Sequence, residues 1–195
     1  MDSEAVDQAR ARLRKAEKAL YALKAASNYN EAEDAWSDFL LAASGIYSKL
    51  EQGAKTKGSS AGWYGRKKKE RKDDPLMRYL HYARNSDEHG IERVAERGGN
   101  LVDPLLRGPL KFNERRLYEL TTWAPDGKPV KNPAYLYGPS LTMVVVHDRR
   151  FNDYCSPPPE HMGKKIELDD WSLVGFATLG LAYLKGLVAE AEQLI

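Results

Sequence analysis

Residues 81–89 read His81-Tyr82-Ala83-Arg84-Asn85-Ser86-Asp87-Glu88-His89 and bring imidazole, guanidinium, amide and carboxylate groups into one short span. Histidine exchanges protons near neutrality because its ordinary pKa is about 6.5. Arginine stays charged and offers a fork of donors that fits phosphate oxygens. Cleaving RNA without a metal needs a base for the ribose 2′-hydroxyl, a proton donor for the leaving 5′-oxygen and positive charge beside the phosphorus; histidine and arginine suit these tasks, but one chain offers few such groups on this face, and two proton transfers are easier with two histidines. On a helix each residue advances about 100°, so relative to His81 Arg84 falls at about −60°, Asn85 at about 40°, Glu88 at about −20° and His89 at about 80°. They share one broad polar face. Leu76, Leu80, Ala83 and Val94 gather near the opposite side, so Arg84, Asn85 and His89 are expected to point away from a helical core. An ordinary solvated helix face has the same composition, and only the order of residues separates the two readings.

The helix that carries this face is expected to run from Asp73 or Asp74, as cap, through Pro75 to about residue 97, ending at Gly98-Gly99, with Leu76, Leu80, Ala83, Ile91 and Val94 inward. Two amphipathic helices precede it. The first, about 4–26, places Val6, Ala9, Leu13, Ala16, Leu20 and Leu23 on one stripe; the second, about 31–51, repeats the pattern with Trp36, Phe39, Leu40, Ala43, Ile46, Tyr47 and Leu50. The break at residues 28–30 is short, so the pair is expected to be antiparallel. Residues 53–65 have no period and read as a flexible loop. It leads to the basic run Arg66, Lys67, Lys68, Lys69, Arg71 and Lys72, which could track RNA phosphates, with Trp63 and Tyr64 as rings on which bases could stack. A solvated, mobile loop is the plainer reading of the same residues.

Residues 100–165 change character. Prolines recur, β-favouring runs occupy 116–123, 134–137 and 141–147, and Asp126-Gly127 signals a turn, so a small antiparallel sheet followed by a loop through Pro157, Pro158 and Pro159 is expected. A last helix, about 168–195, starts near Asp169 or Asp170 and offers Trp171, Val174, Leu179, Tyr183, Leu187 and Leu194 to the core. His147-Asp148 reads as a strand end with turn charges, His161 as part of an ordered loop, and Tyr21, Tyr47, Tyr79 and Tyr183 as packing rings.

The chain has 195 residues, which suits one domain with a sizeable core. Lysine and arginine number 30 against 28 acids, a net +2, so any RNA affinity must come from local concentration of charge rather than from the whole surface. Hydrophobic residues at 42% and charged residues at 30% exclude a largely disordered chain. Cys155 is the only cysteine, so no intrachain disulfide forms and a reducing compartment is the simpler expectation. The acidic start Met1-Asp2-Ser3-Glu4 does not resemble a secretory signal. The apolar stretch 171–188 is interrupted by Gly175, Gly180, Lys185 and Gly186, and reads as a core helix rather than a membrane span. A cytoplasmic protein with no membrane partner is therefore expected. Four widely spaced histidines give no zinc pattern, and no phosphate-binding glycine loop, dinucleotide fingerprint or nucleophile elbow is visible, so neither a metal nor another cofactor is expected.

The order Arg84-Asn85-x-x-x-His89 resembles the motif of the RNA-cleaving HEPN superfamily, an arginine usually followed by a polar residue and then a histidine after four to six intervening positions; here four intervene. The helices over about 4–97 and 168–195 are similar in arrangement to a HEPN core, which makes the whole chain one mostly α HEPN-like bundle with a β-rich insertion over about 100–165. The resemblance implies a metal-independent endoribonuclease in which Arg84 stabilises transition-state charge, His89 acts as general acid and base, and Asn85 positions one of them. His81 and Glu88 are secondary candidates. It further implies a homodimer with a composite cleft, products ending in 2′,3′-cyclic phosphate and 5′-hydroxyl, and a bacterial toxin or phage-defence role restrained by an antitoxin protein. Two alternatives stand beside it: a non-catalytic HEPN-like module that binds RNA or a nucleotide, and a helical interaction protein.

Overall fold

The computed structural model describes residues 1–89, 93–98, 110–148, 152–167 and 171–195. The first stripe forms helix α1 (Ser3–Ala25), capped by Asp2, whose carboxylate accepts the N–H of Ala5 at 2.8 Å. The second forms α2 (Tyr29–Ala54), capped by Asn28, while Glu31 reaches back to the N–H of Ser27 at 2.8 Å. With only residues 26–28 between them, the helices lie antiparallel, and the N–H of Asp2 donates to the carbonyl of Gly53 at 3.1 Å. Their facing stripes bury Val6, Ala9, Ala16, Leu20 and Leu23 against Trp36, Phe39, Leu40, Ile46 and Leu50. Gly53 lets the two ends meet: a Cβ there would sit 2.5 Å from the Cβ of Ala5, a rigid neighbour. We expect Gly53→Ala to destabilise the protein by about 1–3 kcal/mol despite the better helix propensity of alanine, read as a lowered urea midpoint with unchanged slope.

The expected loop at 53–65 is instead mostly helix. Residues 55–57 make the turn, and α3 (Gly58–Asp73) carries the whole basic run. Three glycines and the absence of an apolar period hid it, and tertiary packing supplies what propensity lacks: Trp63 and Tyr64 are buried in the core. Helix α4 (Pro75–His89) begins where expected, with Asp74 as cap accepting the N–H of Met77 at 2.8 Å, but it stops eight residues before the expected end at 97. Ala95–Gly98 is strand β1, not helix, and Val94 therefore joins the core from outside α4; Ile91 lies outside the described residues. Arg97 fastens β1 to α2 with a fork onto Glu33, both bonds 2.9 Å, and a third bond to Asn30 at 2.7 Å.

The β-rich segment comprises β2 (Arg115–Trp123), β3 (Pro129–Tyr137), β4 (Ser140–Met143), β5 (Val146–Asp148), β6 (Asp153–Cys155), β7 (Glu160–His161) and β8 (Lys164–Lys165). These do not make the single small sheet expected. They form four antiparallel two-stranded ribbons, β1 with β4, β2 with β3, β5 with β6 and β7 with β8. The run 141–147 breaks between β4 and β5 because the carbonyl of Val144 is taken by the hydroxyl of Tyr79 at 3.0 Å rather than by a ladder. Asp126-Gly127 turns the β2–β3 hairpin, with Gly127 at φ 79°.

Helix α5 (Leu173–Glu192) closes the bundle, capped by Ser172, whose hydroxyl accepts the N–H of Gly175 at 3.0 Å. The expected cap, Asp169 or Asp170, lies outside the described residues. The inward face is also shifted from the expected one: Leu173, Phe176, Ala177, Gly180, Leu184, Leu187, Val188 and Ala191 are buried. Val174, Leu179, Tyr183 and Leu194 pack at the margin, while Trp171 stays 41% exposed and touches Phe176 edge-on. Gly180 brings α5 close to α4, where a Cβ would lie 2.7 Å from Leu80. By length and composition α5 could cross a membrane, yet half of its apolar window is buried within the protein, as in the core helix of a bundle. The molecule is thus mostly α with small antiparallel ribbons.

Candidate functional site

The polar face of α4 is not turned wholly to water, as its pattern predicted; ribbon β5–β6 lies against it. Alternation sends Val146 and Asp148 to one side of β5 and Cys155 and Asp153 to the same side of β6. Val146 and Cys155 bury their side chains on that side, and burial also pushes the Cys155 thiol upward in pKa. The two carboxylates meet polar groups of α4: Asp153 accepts the hydroxyl of Tyr82 at 2.7 Å, and Asp148 accepts Nδ2 of Asn85 at 2.9 Å.

From Asp148 a fixed chain of polar contacts runs to the arginine. Asp148 is only 2% exposed. Its bond to Nδ2 sets the amide so that Oδ1 of Asn85 faces Nη1 of Arg84 and accepts it at 3.2 Å. Glu88, one turn on, forms an ion pair with Nη2 of the same guanidinium. Nε of Arg84 is buried and has no hydrogen-bond partner among the described residues. A buried donor left in this state costs about 1–3 kcal/mol, so the guanidinium is held in place by its neighbours rather than by its own preference. His89 is the last residue of α4, and its side chain lies outside the described residues. The backbone places it about 140° around the helix from Arg84.

His81 occupies the other side of this face. It lines a small cavity with Tyr47, Arg71, Met77 and Leu80. Burial, reinforced by the charges of Arg71, Arg84 and Lys72 and opposed by Asp148, pushes its pKa down to about 4. The imidazole is therefore neutral at pH 7. The consequence for stability has a definite sign. Unfolded His81 takes a proton below about pH 6.5 while the folded side chain resists until about 4, so the unfolded state binds more protons in that window. Stability is full above pH 6.5 and falls toward pH 4. We expect His81→Gln to flatten this part of the curve by roughly 2 kcal/mol in urea titrations at pH 7 and pH 4.5.

The basic run is divided by its helix. Lys67 pairs with Glu190 at 2.9 Å, Lys68 with Glu51 at 3.2 Å, and Arg71 lies over the ring of Tyr47 at 4.4 Å. Arg66, Lys69 and Lys72 remain exposed, the first two on an open groove of about 440 Å³ shared with Glu70, Asp73 and Glu160. Trp63 and Tyr64 are not available for base stacking. Each is 6% exposed, with Trp63 Nε1 donating to Glu190 at 3.0 Å and the Tyr64 hydroxyl to the carbonyl of Tyr47 at 3.2 Å. They are amphipathic core anchors whose polar tips needed partners, which is why an aromatic pair sits beside a charge run.

Two participants were missed in the sequence. Asp148, read as a turn charge, is two residues from Val146 on the buried side of β5, and that period of two was the available signal. His161 belongs to β7 and places Nδ1 2.9 Å from Oδ1 of Asp74, whose other oxygen accepts the N–H of Met162 at 2.6 Å. No local pattern announces this contact between residues so far apart in the chain. His147 stacks on Tyr154 at 4.3 Å on the opposite side of β5 from Asp148. Among the described residues no group of three or more His, Cys, Asp or Glu side chains could hold a metal ion. Comparison with protein-family models, curated proteins and solved structures finds no match to this chain.

Proposed function

We propose that the chain is a metal-independent endoribonuclease of the HEPN type, acting on single-stranded RNA at the face of α4 that holds Arg84, Asn85 and His89. The observation that carries the reading is the chain from buried Asp148 through Asn85 to Arg84, which fixes an arginine fork at one place and angle. Such preorganisation matters most where charge develops on a phosphorus centre. His89 removes the proton of the 2′-hydroxyl, the 2′-oxygen attacks phosphorus, and the bond to the 5′-oxygen breaks as that oxygen gains a proton. Arg84 donates to the non-bridging oxygens, whose added charge competes with Glu88 for the same guanidinium. His81, neutral at pH 7, serves as a hydrogen-bonding neighbour rather than the proton carrier. A two-fold dimer supplies a second His89 for the leaving oxygen. Exposed Arg66, Lys69 and Lys72 add phosphate contacts that weaken with salt. A cytoplasmic toxin or phage-defence effector, restrained by an antitoxin protein, fits this activity.

The test is cleavage of a labelled single-stranded RNA panel in EDTA by wild type and Arg84→Ala. Turnover that the substitution abolishes supports the reading. Binding without turnover by either protein would instead assign a non-catalytic RNA- or nucleotide-binding module, and neither binding nor turnover a helical interaction protein.

A further inference from the structure

Strands β2 and β3 run nine residues each, paired from Arg115 with Tyr137 to Trp123 with Pro129, and they carry large apolar side chains in water. Leu117 is 64% exposed and Trp123 71%, with Leu120 and Val130 also exposed. A lone two-stranded ribbon is marginal in water, and an exposed apolar surface of this kind usually meets a partner.

Among the described residues β2 pairs only with β3, and the ladder identifies which of its edges is open. The N–H of Gly138 donates to Glu114 at 2.8 Å and that of Ala124 to Lys128 at 2.9 Å, so even-numbered residues of β2 bond inward to β3. The backbone groups of Leu117, Glu119, Thr121 and Trp123 consequently point outward. On β3 the outward positions include Pro129 and Pro133, which have no N–H and guard that edge. β2 contains no proline.

We propose that the free edge of β2 pairs antiparallel with β2 of a second copy of this chain, about a two-fold axis at Leu120, to make a four-stranded intermolecular sheet. The self-complementarity of the strand points to a second copy, and the neighbouring registers are disfavoured: an axis at Thr121, which also matches the outward groups, would set Glu119 opposite Trp123 and Leu117 opposite Pro125 beyond the strand. An axis at Glu119 would set that carboxylate against its own copy, a destabilising like-charge pair. An axis at Leu120 sets Leu120 against Leu120, Leu117 opposite Trp123 and Glu119 opposite Thr121, and it matches outward N–H and C=O groups on both strands. Lys131 stays with Glu119 of its own hairpin at 2.6 Å. The pairing is isologous and closes at two copies. It does not rest on the ribonuclease reading.

The experiment uses the full chain and three substitutions, with mass in solution measured by light scattering at micromolar concentration. Wild type is expected at no less than twice the chain mass. Thr121→Pro removes an outward donor without touching the β2–β3 ladder, as Pro129 and Pro133 do on β3, and, combined with Leu120→Cys, is expected to abolish cross-linking through position 120. In Leu120→Cys the two thiols approach across a pair with Cα atoms about 4.5 Å apart, within disulfide range, so mild oxidation gives a covalent dimer. Leu117→Cys, whose copies lie about 20 Å apart, does not cross-link. Wild type, with Cys155 buried, is the uncross-linked control. A monomeric wild type, equal cross-linking at positions 117 and 120, or a cross-link at position 120 that survives Thr121→Pro overturns the pairing. No cross-link at position 120 together with an RNA affinity that Thr121→Pro lowers would give the arm to RNA, and would leave the composite-cleft dimer of the ribonuclease reading intact.

Discussion

The His89→Ala variant should cleave single-stranded RNA about 10²- to 10⁴-fold more slowly than wild type, the usual loss when a positioned general acid or base is removed. Its affinity for RNA should change little, because the phosphate contacts assigned to Arg84, Arg66, Lys69 and Lys72 remain. Arg84→Ala should lose about 10²- to 10³-fold, and Arg84→Lys should recover little of it, since an ammonium cannot present the fork that Asn85 and Glu88 hold in place. Single-turnover cleavage with excess enzyme measures these losses, beside binding at the same salt. A His89→Ala protein that cleaves at the wild-type rate would remove His89 from the chemistry.

The largest expected effect on stability belongs to a residue outside the site. Asp74 ends α3, caps α4 and holds the β7–β8 hairpin through His161 and Met162, with its side chain 4% exposed. Burial alone would raise its pKa, but the bonds from His161 and the N–H groups of Met162 and Met77 outweigh burial and hold the carboxyl below the ordinary carboxylate range. Asp74→Ala strips the cap and leaves donors unpaired, and should cost about 3 kcal/mol. For a chain of this length that lowers Tm by about 6–12 °C. The same carboxylate gives a pH signature. Its stabilisation is complete above the unfolded value near pH 4 and is lost as pH falls through the depressed folded value, so the gap between wild type and Asp74→Ala should close under acid. Thermal melts at pH 7 and pH 3 measure both effects, and equal melting temperatures at pH 7 would refute the assigned role of Asp74.

The helices that could be read from the sequence were those with a clean apolar stripe. Val6 to Leu23 and Trp36 to Leu50 have the period of a buried face and keep it in the structure. Helix α3 could not be read this way, because its order comes from two aromatic anchors and from ion pairs to α2 and α5 rather than from a stripe. The end of α4 was overrun although Gly90, directly after His89, is a residue type that commonly follows a helix C-terminus. Arg84, Asn85 and His89 could be singled out because their types and order stand out in one segment. The partners that orient Arg84 and Asn85, and the group that crowds His81, could not, since Asp148 reaches Asn85 across 63 positions and Arg71 reaches the surroundings of His81 from another helix. Polar types betray a candidate group locally, whereas its orientation is a property of the tertiary structure.

The most direct test of the central claim is the end-group chemistry of cleavage in EDTA, on an RNA oligonucleotide and on the same oligonucleotide with a single 2′-deoxyribose at the cleaved position. Attack by the 2′-oxygen predicts a 2′,3′-cyclic phosphate and a 5′-hydroxyl from the first and no cut at that position in the second. A cut that persists in the 2′-deoxy substrate, 3′-hydroxyl and 5′-phosphate ends, or no turnover of either oligonucleotide would contradict it.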